Sequence, residues 1–256
     1  MNVPILAYHK VSDRFEWSIN SVSPRAFKSQ IQFLVDHHFY TISLEQYFDS
    51  SIEVGPTRRP IIITFDDSDE SVLLHAFPIM QAAGFQATLF IVSGYVGHWN
   101  RWDANLGGIY SRHLSWDQIK LLVQAGWEVG SHTVSHPDLV SLSNKELQNE
   151  LKGSREVIES KLNQRVRFIS YPFNRFDRRV IDVAQQAGYC GACALWVSQR
   201  WNDLPWQFRV PRLGVYRIDS LSWFKKKLAA SWMERFKQRL ISLASHGTIW
   251  YKRLHR

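Results

Sequence analysis

The chain has 256 residues, of which 45% are hydrophobic and 21% charged, a balance that excludes disordered and collagen-like proteins. Lys and Arg outnumber Asp and Glu by 31 to 23, and this formal surplus of +8 first suggests an anionic partner. The surplus is confined to the end of the chain, because residues 221–256 hold nine basic residues and the single acid Glu234. The first 220 residues are neutral by count, so the basic charge says little about what a site within them binds.

The basic segment 220–256 can be read as an amphipathic helix, with apolar residues at every third or fourth position. Two interpretations stay open: a closing helix packed on the domain, or a helix in the headgroup region of an anionic membrane. No nucleic-acid-binding motif accompanies the charge, so nucleic acid is not a predicted partner. With no signal peptide and no apolar stretch of transmembrane length, we expect a cytoplasmic protein, either free or peripheral to the inner membrane.

Short apolar runs alternate with amphipathic segments along the first 215 residues. The runs predict strands at 3–8, 61–65, 87–92, 127–130, 166–171, 189–195 and 208–215. The segments between them predict helices at 24–38, 69–83, 115–125, 143–162 and 177–187. Strands separated by helices indicate an α/β fold, and we expect a distorted (β/α) barrel of about seven parallel strands over residues 1–219, followed by the extension 220–256. In such barrels, function concentrates at the C-terminal ends of the strands.

Two adjacent carboxylates, Asp66 and Asp67, directly follow the second predicted strand. Neighbouring side chains at a strand end point in different directions, so one carboxylate can bind a metal ion while the other faces a water molecule. For the pair taken alone, an acidic turn with Ser68 or Asp69 as a helix N-cap is the commoner explanation.

Two histidines four residues apart, His132 and His136, follow the fourth predicted strand. This spacing allows two imidazoles to bind one metal ion, although ten His in the chain make such a pair by chance unsurprising. Together with Asp67 they offer two nitrogens and one oxygen, the ligand set of a catalytic zinc ion with positions open for water. The sequence therefore predicts one divalent metal ion, Zn²⁺, held by these three residues.

Three motifs occur in order, each after a predicted strand: Thr64-Phe65-Asp66-Asp67, His132-Thr133-Val134-Ser135-His136 and Tyr171-Pro172-Phe173. In this arrangement the chain resembles the polysaccharide deacetylase family, the NodB-homology domain of carbohydrate esterase family four. Its opening, Pro4-Ile5-Leu6-Ala7-Tyr8-His9-Lys10-Val11, is similar to the start of bacterial exopolysaccharide deacetylases. The resemblance implies a metal-dependent hydrolase that removes acetyl groups from N-acetylhexosamine residues of a glycan partner, an exopolysaccharide or its precursor.

The resemblance also implies roles for individual residues. Asp66 would be the general base, and the backbone N–H of Phe173 would donate to the oxyanion. The metal ligands would be Asp67, His132 and His136, the three residues already predicted to bind the cation. Around Phe173, three further residues are expected to contact the substrate: Tyr171, Pro172 and Asn174.

The chain departs from the family pattern at several positions. Ser68 and Asn174 stand where the family often has glycine. Ser170 replaces the arginine that many members carry before the proline, and we expect Arg212 to take over its orienting role.

The late Leu-x-His motif that supplies the general acid in the family is not found, which leaves His9 as a candidate and His246 as a weaker one. Two other functions stay open: a same-fold amidohydrolase acting on a small cyclic amide, a sugar nucleotide or a lipid-linked sugar, and a non-catalytic protein that binds glycan or membrane. The sequence predicts no oligomeric state.

Overall fold

A computed structural model describes residues 3–14, 16, 18–50, 57–101, 110–195 and 203–229. The strands in these ranges are β1 (Ile5–Tyr8), β2 (Lys10–Val11), β3 (Ser21–Val22), β4 (Phe39–Thr41), β5 (Arg59–Phe65), β6 (Thr88–Ile91), β7 (Glu128–Ser131), β8 (Phe168–Ser170), β9 (Gly191–Ala194), β10 (Val210–Pro211) and β11 (Leu213–Gly214). The α-helices are α1 (Pro24–Asp36), α2 (Leu44–Phe48), α3 (Phe77–Ala82), α4 (Trp116–Gln124), α5 (Asn144–Leu162), α6 (Arg178–Gln186) and α7 (Leu221–Leu228).

The main sheet is parallel and follows the order β10-β9-β8-β7-β6-β5-β1-β11. Its two end strands, β10 and β11, are separated in the chain only by Arg212. One extended segment therefore pairs with β9 through its first half and with β1 through its second half. The sheet closes at this point into a barrel with seven strand positions, which confirms the predicted fold.

The predicted elements are present within a few residues of their expected bounds. Six of the seven described α-helices begin at side-chain caps that the sequence supplies: Ser23, Ser43, Ser115, Ser143, Asp177 and Ser220. The helix predicted at 69–83 forms as a π-helical turn, Val72–Ala76, that continues into α3. The strands β2, β3 and β4 and the helix α2 were not predicted, because two to five residues are too few to show a periodic pattern.

Successive side chains of each strand point to opposite faces of the sheet, and this alternation divides the core into two layers. The inner layer takes one residue from each of six strands: Ile5, Ile62, Phe90, Phe168, Cys193 and Val210. Their sequence neighbours belong to a larger cluster between the strands and the helices. The remaining strand, β7, contributes Gly130, where an added Cβ would lie 2.5 Å from the Phe90 ring. The barrel interior is therefore a packed core below the C-terminal rim.

Helix α7, the first part of the basic extension, packs against the barrel. Phe224 is fully buried, and its ring lies edge-on to Phe33 of α1 at 6.2 Å between centroids. Lys227 is also fully buried; its Nζ donates to the Gly214 carbonyl at 2.6 Å and lies 3.3 Å from the Asp219 carboxylate. The described start of the extension therefore packs on the barrel, and the predicted division of the chain at 219 stays a prediction.

Residues 230–256, which carry six of the nine tail Lys and Arg residues, lie outside the described residues. The amphipathic helix beyond α7, the membrane contact and the cellular location therefore stay predictions. Within the described part of the chain, none of the helices has both the length and the apolar character needed to cross a bilayer.

Candidate active site

Strand ends bring the predicted site residues to one rim of the barrel. Because all strands of the main sheet are parallel, their C-terminal ends lie on the same side. The rim carries His9 after β1, Asp66 and Asp67 after β5, His132 and His136 after β7, residues 171–174 after β8, and Arg212 between β10 and β11. The structure therefore brings together residues that are up to 203 positions apart in the chain, from His9 to Arg212.

The three predicted metal ligands converge. Their ligand atoms all lie within 4.8 Å of one another, and all three residues are buried. Asp67 Oδ1 lies 3.4 Å from Nε2 of His132 and 3.6 Å from Nε2 of His136. This buried oxygen has no hydrogen-bond partner of good geometry among the described residues. Burial alone would raise the pKa of the Asp67 carboxyl, but the neighbouring histidines hold it far below its ordinary value. An ionised oxygen facing two imidazoles fits a divalent cation.

Further hydrogen bonds fix the orientation of these ligands. His132 Nδ1 lies 2.7 Å from the Ser170 carbonyl oxygen, which leaves Nε2 facing Asp67. On the other side, His113 Nδ1 lies 2.6 Å from the backbone carbonyl oxygen of Asp67. His113 is buried, and burial lowers the pKa of its imidazole. Sequence reasoning missed His113, because no spacing or motif connects it with Asp67.

The loops that carry the site turn through left-handed backbone. Among the described residues, nine that are not glycine have positive φ, and six of them are in these loops: Asp67, Ser68, Thr133, His136, Phe173 and Asn174. Such a conformation costs about 1–3 kcal/mol per residue and persists only where the surrounding structure enforces it. Ser68 and Asn174, where the family often has glycine, have φ of 55° and 56°. At these two positions the rim loops therefore adopt the left-handed backbone conformation typical of glycine, although neither residue is glycine.

Asp66 is paired with Arg212 inside the barrel. The guanidinium donates from Nη1 to Oδ1 at 2.8 Å and from Nη2 to Oδ2 at 2.7 Å, and both side chains are buried. The same guanidinium donates to the hydroxyls of Thr64 at 2.9 Å and Ser170 at 2.7 Å. Burial alone would raise the pKa of Asp66, but the charge of Arg212 and its hydrogen bonds bring it below the ordinary value. Asp66 is therefore ionised at neutral pH.

His9 lies beside this pair. The Asp66 backbone N–H donates to the carbonyl of Tyr8, the residue before His9, at 2.9 Å. His9 is buried, its Nδ1 has no hydrogen-bond partner among the described residues, and its charge lowers the pKa of both Asp66 and Asp67. The other candidate acid, His246, lies outside the described residues.

The residues predicted to contact substrate are mostly engaged inside the protein. The Tyr171 hydroxyl donates to the Phe208 carbonyl at 3.1 Å, and Asn174 Oδ1 accepts from the Leu195 N–H at 2.8 Å. Both side chains are buried, as is Pro172. Their assignment as substrate contacts stays a prediction without geometric support. The half-buried ring of Phe173 lies edge-on to His136, with 4.6 Å between centroids.

Comparison with known proteins assigns the chain to a family. The family model for polysaccharide deacetylase matches residues 53–192, more than half of the chain. The chain belongs to the polysaccharide deacetylase family. It is 28% identical to YxkH of Bacillus subtilis over 190 residues, which are 73% of this chain and 62% of YxkH. It is also 28% identical over 161 residues, 62% of this chain, to the poly-β-1,6-N-acetyl-D-glucosamine N-deacetylase of Staphylococcus aureus, and spans 52% of that protein.

Two solved structures have the same barrel fold as this member of the polysaccharide deacetylase family. The Streptococcus pyogenes deacetylase PplD, solved in complex with acetate, superposes with a TM-score of 0.73 at 24% identity, covering 88% of this chain and 97% of PplD. The polysaccharide deacetylase BC0361 of Bacillus cereus gives a TM-score of 0.71 at 25% identity, covering 88% of this chain and 68% of BC0361.

The pairing of Asp66 with Arg212 leads to a pH-dependent prediction. Arg212→Met should destabilise the metal-free protein by about 3 kcal/mol at pH 7, because it leaves a buried carboxylate without its partner. In the wild type the pKa of Asp66 is lowered, so the pairing stabilises the fold above about pH 4 and is lost as pH falls through that pKa. In the variant, the guanidinium no longer opposes the effect of burial, so the pKa of Asp66 should rise and more of the carboxyl should be protonated at pH 4. The stability difference should therefore be smaller at pH 4 than at pH 7.

Urea unfolding of both proteins at pH 7 and pH 4 measures this difference. Arg25→Met, which replaces an exposed arginine on α1, is the control and should change stability by less than about 0.5 kcal/mol. An equal loss of stability at both pH values would mean that the Asp66 charge is not what Arg212 stabilises.

Proposed function

We propose that this chain is a metal-dependent N-deacetylase that hydrolyses the acetamide groups of N-acetylglucosamine-type residues in a polysaccharide. The observation that carries the proposal is the ionised Asp66 beside the converging donors Asp67, His132 and His136 on one barrel rim. Membership in the polysaccharide deacetylase family supports the reaction class. Similarity to the Staphylococcus aureus enzyme supports β-1,6-linked N-acetylglucosamine as the first glycan to test.

Asp67, His132 and His136 would hold the divalent cation, and two nitrogens with one carboxylate oxygen favour Zn²⁺. When bound, the cation supplies Lewis-acid activation of the acetamide carbonyl and of the attacking water. The ring of His132 is already oriented for this role by the Ser170 carbonyl.

Asp66 accepts the proton of the attacking water, and Arg212 keeps its carboxylate ionised and oriented for this step. The water oxygen bonds to the acetyl carbon, and the Phe173 N–H donates to the oxyanion that develops there. The C–N bond then breaks as His9 protonates the departing amine, which releases acetate and leaves a free amino group on the sugar.

Neighbouring carboxylates provide a matched pair of variants. Asp66→Asn should lower acetate release from β-1,6-linked N-acetylglucosamine oligomers by at least about 100-fold, because an amide cannot accept the proton. It should leave the metal content unchanged, since Asp66 is not among the three converging donors. Asp67→Asn should lower both acetate release and metal content. Acetate assays and elemental analysis of the purified proteins measure the two quantities.

Other results separate the alternatives. Turnover by the Asp66→Asn variant would show that the base is wrongly assigned. A wild-type protein that binds metal but hydrolyses only small cyclic amides or lipid-linked sugars would support the same-fold amidohydrolase. A protein without bound metal and without turnover, but with affinity for glycan or vesicles, would be the non-catalytic binding protein.

The assignment of His9 as the acid has its own test. His9→Gln should lower acetate release from the oligomers by about 100-fold, because the amine needs a proton to leave. Hydrolysis of 4-nitrophenyl acetate should change by less than about threefold, since nitrophenolate leaves without one. His75→Gln, which replaces an exposed histidine, is the control. An equal loss of activity on both substrates would indicate that His9 acts at another step of the reaction. Unchanged activity on both would exclude His9 as the general acid.

A further inference from the structure

A carboxylate of helix α5 holds the loop that joins the two histidine ligands. Glu150 Oε2 accepts the backbone N–H groups of Val134 at 2.8 Å and Ser135 at 2.9 Å. Its other oxygen, Oε1, accepts the Ser135 hydroxyl at 2.5 Å. All three donors lie between His132 and His136 in the chain. One side chain therefore fixes the segment that sets the distance between the two imidazoles.

The backbone of this loop needs an anchor. Thr133 and His136, on either side of the two donors, have φ of 71° and 56°, in the left-handed region that a β-branched residue such as Thr rarely adopts. Successive N–H groups beside a left-handed residue form a concave anion-binding site. The Glu150 carboxylate supplies the anion. Without it, two amide groups would lose their acceptor within a strained turn.

Helix α5 presents this carboxylate from a fixed position. Its inner face is buried through Leu147, Leu151 and Ile158. One turn beyond Glu150, the hydroxyl of Ser154 lies 2.8 Å from that of Ser131, whose oxygen accepts the Thr133 N–H at 3.1 Å. The loop and the helix are therefore joined at two points.

We propose that Glu150 is a positioning residue of the metal centre: by binding the Val134 and Ser135 amides, it holds both imidazoles where they reach the same cation. Its carboxylate acts through the backbone of the loop. The inference rests on the metal centre of the proposed function but not on the acetylated substrate.

Metal affinity of the full chain tests this proposal. Glu150→Gln keeps the size of the side chain and one acceptor oxygen for the two amides, but it removes the negative charge and replaces the other oxygen by an NH₂ group, which cannot accept the Ser135 hydroxyl. It should raise the Kd for Zn²⁺ about 10- to 100-fold, measured by competition with a chromogenic chelator. Ser135→Ala removes only the hydroxyl donor and should raise the Kd about threefold. Glu156→Gln, on the same helix in an exposed pair with Lys152, should leave the Kd unchanged.

The Tm of each metal-free protein and the visible spectrum of its Co²⁺ form separate positioning from simple stabilisation. A changed Co²⁺ spectrum with a raised Kd supports positioning. A lower Tm with unchanged Kd and spectrum would show that Glu150 only docks helix α5, and would overturn the inference. If Glu150→Gln does not fold, Ser135→Ala decides: unchanged Zn²⁺ affinity contradicts the inference, and weaker affinity at unchanged Tm supports it.

The two proposals can fail separately. A wild-type protein that binds Zn²⁺ more tightly than Glu150→Gln, but releases no acetate, would sustain the role of Glu150 and reject the proposed substrate. Acetate release by a zinc-loaded wild type, with equal Zn²⁺ affinity in Glu150→Gln, would support the proposed substrate and reject the role of Glu150. A wild type that binds no divalent metal would reject both.

Discussion

Arg212 donates two hydrogen bonds to Asp66 at the point where the barrel closes between β10 and β11. A buried ion pair is worth little beyond its desolvation, but removing one partner leaves an uncompensated charge inside the protein. The hydroxyls of Thr64 and Ser170 accept further hydrogen bonds from the same guanidinium. The segment that closes the sheet therefore also supplies the charge that keeps Asp66 ionised. The small side chain of Ser170 leaves room for a guanidinium that comes from the segment between β10 and β11.

The adjacent residue, Asp67, has a different environment although it is only one position away. A left-handed turn at Asp67, with φ of 69°, directs its carboxylate away from Arg212 and toward His132 and His136. Both carboxylates are buried and both are ionised, one through a guanidinium and the other through imidazoles. Their surroundings thus give two identical side chains different roles, one suited to accepting a proton and one to binding a cation.

Much of this arrangement could be predicted from the sequence. The barrel strands and the longer helices have clear periodic patterns and side-chain caps, and parallel strands necessarily bring their C-terminal ends to one rim. Alternation also places three polar residues inside the barrel, each two positions beyond a buried residue: Thr64 after Ile62, Ser170 after Phe168, and Arg212 after Val210. His113 and Glu150 could not be predicted, because their contacts with the metal-binding loops depend on long-range packing that leaves no local pattern.

We expect one rim of the barrel to hold a cation on Asp67, His132 and His136, while Asp66 stays paired with Arg212. Crystals grown with Zn²⁺, with anomalous data collected on both sides of the zinc absorption edge, test this arrangement. They should show one strong anomalous peak about 2.0–2.2 Å from a carboxylate oxygen of Asp67 and a ring nitrogen of each histidine, with the Asp66–Arg212 hydrogen bonds intact. Zinc bound by Asp66 in place of Asp67, or a peak away from these three side chains, would contradict it.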